Sequence, residues 1–72
     1  MFVENGLKKD PDNSGWVLGW GVVRSAPWNL AGVYGSKEAA EMKAAELGDG
    51  YEAEYGSHRL GSDDFISGIT SE

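Results

Sequence analysis

Cysteine is absent from this 72-residue chain, which also contains only one histidine and two prolines. Without cysteine the chain can form neither a disulfide framework nor a thiolate metal site. We therefore expect a reducing, cytoplasmic setting. No apolar run approaches the roughly 20 residues that span a bilayer, and the amino terminus lacks a basic region followed by an apolar core. The sequence thus predicts a soluble, unprocessed protein that does not act at a membrane.

Acidic residues are unevenly distributed along the chain. Residues 1–35 carry three acids and three bases, whereas residues 36–72 carry nine acids and three bases, so the second half holds the whole net charge of −6. A negative field repels phosphate and attracts basic surfaces. The charge therefore disfavours direct nucleic-acid binding and favours a protein partner with a basic surface. The alternative is an acidic surface that serves only solubility.

The segment 16–34 contains all three tryptophans and predicts an antiparallel hairpin. Its first strand places Trp16 and Trp20 on one face and Gly19 and Gly21 on the other. Glycine inside a strand indicates a bulge or a close approach by another element. We expect the two strand tryptophans to be mainly core, whereas Trp28, near the hairpin tip, is a candidate contact residue.

A helix is predicted over residues 37–47, because Ser36 can cap its amino end and Gly48 follows it. Ala40, Ala44 and Leu47 form a narrow apolar stripe suited to docking on a sheet. The alternating segment 51–55 then predicts a half-buried strand with Glu52 and Glu54 facing outward.

These elements define a small α+β domain of ββαβ type, with one helix packed on one face of a mainly antiparallel sheet of three to four strands. Residues 1–4 can add a short edge strand, residues 8–15 form a loop, and residues 62–64 form a turn before the apolar pair 65–66. We place a single domain at residues 1–66 and a flexible tail at residues 67–72.

No pattern typical of catalysis or of a cofactor site is evident. Ser57 and His58 are neighbours, so on a strand they point to opposite faces and cannot act as a nucleophile and base; His58 is expected to be a lone surface histidine. Asp10 and Asp12 match the first half of a calcium loop, but Gly21 stands where a bidentate glutamate is needed. We predict an aspartate-rich turn there, and a protein that is not an enzyme and binds neither metal nor cofactor.

The order strand, strand, helix, strand covers residues 16–56, with residues 34–40 (YGSKEAA) leading into the helix and residues 50–52 (GYE) leading out of it. This layout resembles small bacteriophage proteins that bind and inhibit host RNA polymerase. The resemblance implies inhibition by covering a basic surface of a large host enzyme. It carries over no individual binding residue.

The first hypothesis is a non-catalytic interaction protein that inhibits transcription or another nucleic-acid-handling enzyme. Its acidic contacts to the partner's lysines and arginines are predicted to be Glu52, Glu54, Asp63 and Asp64, with Trp28 as the aromatic anchor. Two alternatives stay open. One is a small-ligand or carbohydrate-binding module that uses exposed aromatic residues, and the other is a homodimeric structural subunit that pairs strand edges.

Overall fold

The structure is a computed structural model that describes residues 1–68. Within these residues the chain forms six strands and one helix: β1 (Phe2–Val3), β2 (Lys8–Lys9), β3 (Trp16–Ser25), β4 (Trp28–Tyr34), α1 (Lys37–Leu47), β5 (Glu52–Arg59) and β6 (Phe65–Ser67). Ser67, assigned above to a flexible tail, therefore belongs to a strand, and residues 69–72 of that tail lie outside the described residues.

The predicted α+β class is confirmed, and so is the helix packed on one face of a mainly antiparallel sheet. The sheet has six strands where the sequence predicts three to four. Three of them, β1, β2 and β6, are only two or three residues long, too short to show the alternation that identifies longer strands. Lys8 and Lys9, predicted to be part of a loop, form one of these short strands.

β3 is the central strand, in the order β1-β4-β3-β5-β6. On one side it pairs with β5 along the segment Trp16–Val23. On its other side it pairs first with β2 and then with β4. All of these pairings are antiparallel, whereas β1 lies parallel to β4. The first strand of the predicted hairpin is thus the strand to which most of the sheet is hydrogen-bonded.

The helix begins and ends where its capping residues predict. The Ser36 hydroxyl accepts a hydrogen bond from the N–H of Ala39 at 3.2 Å, and Gly48, at φ 62°, donates its N–H to the carbonyl of Ala44. Ala40 and Ala44 are buried, but Leu47 is 39% exposed, so the predicted apolar stripe is one turn shorter than expected. No helix of residues 1–68 is long and apolar enough to cross a membrane.

We call the side of the sheet that α1 covers the helix face. Its core consists of Val22, Ala40 and Ala44. Partly buried residues pack around them, namely Trp20, Ala31, Tyr34, Tyr51 and Ala53. Small alanine side chains allow the helix to approach the sheet closely. Trp20 belongs to this core as predicted, and its ring also meets that of Tyr55 edge-on, with 5.2 Å between centroids.

The opposite side, the far face, has its own core of Val23, Leu30 and Val33. No helix of the described chain covers it; instead Val3, Leu7 and Phe65 pack against this core. The predicted close approach to the strand glycines occurs here. A Cβ atom on Gly21 would lie 2.6 Å from Cζ of Phe65, and one on Gly19 would lie 2.9 Å from Cγ1 of Val33. Glycine is needed at Gly21 because an aromatic ring occupies the space of its side chain.

Replacing Gly21 with alanine is expected to lower the free energy of unfolding by about 1–3 kcal/mol, because the added methyl group overlaps the Phe65 ring. Urea denaturation measures the loss. In a Phe65→Ala background the same substitution should lower the free energy by less than about 0.5 kcal/mol, since the two sites are then no longer coupled. Equal losses in both backgrounds would contradict the contact.

Candidate functional site

Glu52 and Glu54 lie on the far face, at the end of β5 that is nearest the β3–β4 hairpin tip. Glu52 is opposite Val23, and Glu54 is opposite Gly21. Glu52 is exposed and Glu54 is half-buried. Neither carboxylate forms an ion pair with a residue of the described chain. The two charges are therefore available to a basic group outside the protein.

Trp28 is the first residue of β4 and is paired with Ser25 across the hairpin tip. It shares the far face with Leu30, two residues further along the strand, and its side chain is 49% exposed. Trp28 thus continues the far-face core into solvent. The register places it on the same face as Glu52 and Glu54, and we call these three residues the Trp28 surface.

The hairpin tip is held in place by Arg24, on the other side of the sheet. Its Nε donates to the carbonyl of Pro27 at 3.0 Å, and its Nη1 lies 3.1 Å from Oδ2 of Asp49. The guanidinium also sits over the ring of Tyr51, 5.1 Å from the centroid. Through these contacts Arg24 links the turn before Trp28 to the segment that precedes β5.

Asp63 and Asp64 lie at the opposite end of β5, in the turn to β6. Arg59, at that end, is seven positions after Glu52, which is roughly 23 Å along an extended strand. The Asp64 carboxylate lies 3.6 Å from Nη1 of Arg59, whereas Asp63 is exposed and forms no ion pair with residues 1–68. The five residues predicted to bind a partner therefore form two groups, and only Trp28, Glu52 and Glu54 share one surface.

His58 is buried, with 1% of its surface exposed, so the prediction of a surface histidine is wrong. It lies on the far face between Val17 and Phe65, because β6 pairs along this half of β5. Its Nδ1 is 3.0 Å from the carbonyl oxygen of Asp64; a carbonyl only accepts, so Nδ1 donates. The ring therefore fastens the β5–β6 turn.

Ser57 points to the other face, as predicted, and donates its hydroxyl to Oδ2 of Asp10 at 2.7 Å. The same carboxylate accepts from the N–H of Asp12 at 2.9 Å and from Nδ2 of Asn13 at 3.1 Å. The predicted aspartate-rich turn is thus present. The pKa of Asp10 lies below its ordinary value of 3.8, first because of the Asp12 N–H and then because of the Ser57 hydroxyl. The sequence did not predict the hydrogen bond between Ser57 and Asp10, because the two residues are 47 positions apart.

The described residues hold no group of three histidine, aspartate or glutamate side chains that could bind a metal ion. Ser57 and His58 are each occupied by a structural hydrogen bond, on opposite faces. Trp28 and Glu52, by contrast, are exposed, so the Trp28 surface is open to a partner.

No family model matches the chain, and neither a curated protein nor a solved structure matches it. The resemblance to phage inhibitors of RNA polymerase therefore stays a prediction.

The Asp10 carboxyl is expected to titrate below 3.8, and Ser57→Ala should raise its pKa while leaving it below the ordinary value, since the Asp12 N–H remains. Carbon-detected NMR of the carboxyl group measures both values. Because the folded-state pKa is depressed, the stabilisation is present above about pH 3.8 and is lost as the pH falls through the folded-state pKa. An unchanged pKa in Ser57→Ala would contradict this bond, and Ser62→Ala is the control.

Proposed function

We propose that this protein is a small non-catalytic binding protein that docks on a basic surface of a larger protein through the Trp28 surface. The observation that carries the proposal is the exposed ring of Trp28 on the same sheet face as two carboxylates without an ion-pair partner in the described chain. Tryptophan is enriched among residues that dominate binding energy at interfaces. The carboxylates add selectivity for a basic partner.

The spacing suits a long basic side chain. Trp28 and Glu52 are two strands and two residues apart, which puts their Cα atoms at roughly 12 Å. An arginine of the partner can stack its guanidinium on the indole and reach the Glu52 carboxylate with the same group. A flat aromatic face beside a carboxylate favours arginine over lysine, because lysine offers a point charge and not a plane.

The remaining acids support the encounter with such a partner. Besides Glu52 and Glu54, seven of the twelve acidic residues lie in residues 36–72, and a field of one sign raises the rate of association with an oppositely charged surface. We assign Asp63 and Asp64 to this long-range role, since they lie at the far end of β5 and Asp64 is already near Arg59.

The class of partner is inferred from charge and from the resemblance. Enzymes that handle nucleic acids present basic surfaces to phosphate, and an acidic protein of this size can cover such a surface. We therefore propose inhibition of transcription or of a related process as the biological effect, in the cytoplasm. The Ser57 hydroxyl and the His58 imidazole, the two groups that could suggest catalysis, are engaged in structural hydrogen bonds. Their engagement supports a binding role.

The test compares two charge reversals of equal size. Glu52→Lys with Glu54→Lys alters the Trp28 surface, and Glu38→Lys with Glu41→Lys alters exposed positions on α1. A protein captured from a cell lysate by the unmodified chain should lose about tenfold in affinity for the first variant and for Trp28→Ala. The helix variant should lose less than about threefold, with circular dichroism showing that all variants are folded.

Salt dependence gives a second criterion. Binding of the unmodified chain should weaken markedly between low and high ionic strength, and the variant with reversed charges on β5 should show a smaller dependence. Equal losses for the two charge-reversed variants would mean that net charge alone is responsible, and the proposed surface would then be wrong.

A further inference from the structure

The outer edge of β5 is only partly covered by β6. β6 pairs with residues 56–58, whereas β5 is paired with β3 along its whole length, from Glu52 to Arg59. On the side away from β3, no strand of residues 1–68 therefore pairs with the segment 52–55. We call this side of the segment the β5 edge.

The backbone groups of the β5 edge can be placed from a hydrogen bond at the other end of the strand. The N–H of Arg59 donates to the carbonyl of Asp64 at 3.2 Å and so points away from β3. The register between β5 and β3 is continuous from Arg59 to Glu52, and backbone groups in an antiparallel ladder alternate in direction from one residue to the next. The N–H groups of Tyr55 and Ala53 therefore also point outward, together with the Ala53 carbonyl.

Outward backbone groups of this kind form a template for a further strand. A strand added antiparallel to β5 would accept a hydrogen bond from the Ala53 N–H and donate one to the Ala53 carbonyl. Its residues opposite Glu52 and Glu54 would project to the far face, since those two positions lie on that face. Positions that are not hydrogen-bonded across a ladder bring facing side chains closest together, and Glu52 and Glu54 occupy such positions.

The charge of the β5 edge selects the side chains of such a strand. Neither Glu52 nor Glu54 forms an ion pair with a residue of the described chain. Among the described strands, the basic residue on the far face is Lys9, opposite Val17. Val17 is four positions along β3 from the residue paired with Glu54, which is roughly 13 Å. The field at the β5 edge is therefore negative, and it favours arginine or lysine opposite the two carboxylates.

The same carboxylates disfavour a second copy of this chain as the added strand. If two β5 edges paired antiparallel about a two-fold axis at Ala53, Glu52 of one copy would face Glu54 of the other. With the axis at Glu54, the two Glu54 side chains would face each other. Like charges directly opposite each other destabilise a sheet, so a basic partner fits the edge better than a second copy.

We propose that the β5 edge binds an extended, basic segment of the partner as an added strand, with arginine or lysine at alternate positions. The proposal rests on the function proposed for the Trp28 surface and specifies how the partner reaches Glu52 and Glu54. Trp28 is three strand spacings from the added strand, or roughly 14 Å, so it contacts a different segment of the partner.

The probe is the peptide acetyl-TVRVRVT-amide, which alternates arginine and valine, added to the ¹⁵N-labelled full chain and followed by NMR. The N–H groups of Ala53 and Tyr55 should exchange rapidly with solvent in the free protein, and saturating peptide should slow their exchange at least about tenfold. Chemical shifts should change in the segment 52–55. They should not change in residues 28–31 of β4, which β1 also leaves uncovered and which carry no charge.

Two control peptides separate strand addition from charge attraction. Methylation of the backbone nitrogen of the valine between the two arginines keeps both charges but removes the donor to the Ala53 carbonyl. It should weaken binding about tenfold, the equivalent of roughly 1.4 kcal/mol. The peptide acetyl-TVVRRVT-amide has the same composition, but its arginines project to opposite faces of a strand, and it should bind at least about threefold more weakly.

Two pairs of substitutions test the charges on the protein. Glu52→Gln with Glu54→Gln should weaken the alternating peptide about five- to tenfold. Glu38→Gln with Glu41→Gln removes the same charge from exposed positions of α1 and should change the affinity less than about twofold.

Equal binding of the alternating and the N-methylated peptides would overturn the proposal and leave the Trp28 surface to its own test. Shifts centred on residues 28–31, or binding that does not saturate at about 1 mM peptide, would also overturn it. So would slow exchange of the Ala53 N–H in the free protein, because the edge would then be occupied by residues 69–72 or by a second copy, which sedimentation distinguishes. Strand addition at β5 with a lysate partner that is insensitive to Glu52→Lys and Glu54→Lys would instead reject the proposed function alone.

Discussion

The packing of the Phe65 ring on Gly21 is the contact on which the arrangement of the far face depends. β6 is hydrogen-bonded to β5, yet its aromatic side chain passes over that strand and rests on the central strand β3. Only glycine leaves room for this, because a Cβ atom would overlap the ring. Through this contact the end of the described chain packs on the far face, which no helix of residues 1–68 covers.

The same contact accounts for the burial of His58. Phe65 is its neighbour on β6, and the Asp64 carbonyl just before Phe65 accepts the Nδ1 hydrogen bond. A polar ring in such a position is tolerated only when it is hydrogen-bonded, and the turn that leads into β6 supplies that partner. β6 and the turn before it thus complete the apolar core of Val23, Leu30 and Val33 and satisfy the buried histidine.

Because α1 covers the helix face and Phe65 covers the middle of the far face, two regions of residues 1–68 remain open at opposite ends of the far face. One is the Trp28 surface at the hairpin tip, where an exposed indole lies beside two carboxylates. The other is a cleft near Lys9 and Val17. The cleft is lined by Glu4, Lys9 and Asp10, whereas the charged groups of the Trp28 surface are both carboxylates.

Local chemistry in the sequence predicted the helix and the long strands well. Ser36 and Gly48 mark the helix ends, and strict alternation placed Glu52 and Glu54 on one strand face. The glycine spacing of β3 predicted a close approach at Gly21, although it could not identify Phe65 as the side chain that makes it.

Features that depend on contacts between distant segments were not predictable. β2 is two lysines with no apolar pattern, and it forms a strand only because β3 offers a free edge there. The bond between Asp10 and Ser57 and the burial of His58 likewise depend on register. The four acidic residues were predicted to form one surface, because the position of Asp63 and Asp64 at the other end of β5 from Glu52 depends on tertiary structure that composition and alternation do not contain.

The most direct test of this account is the nuclear Overhauser effect between the aromatic protons of Phe65 and the α protons of Gly21 in the unmodified protein. Strong cross-peaks are predicted, together with an upfield shift of the Gly21 α protons caused by the ring current. Cross-strand peaks between β5 and β6 without any contact from Phe65 to Gly21 would contradict the account, since β6 would then pair with β5 while leaving the far face open.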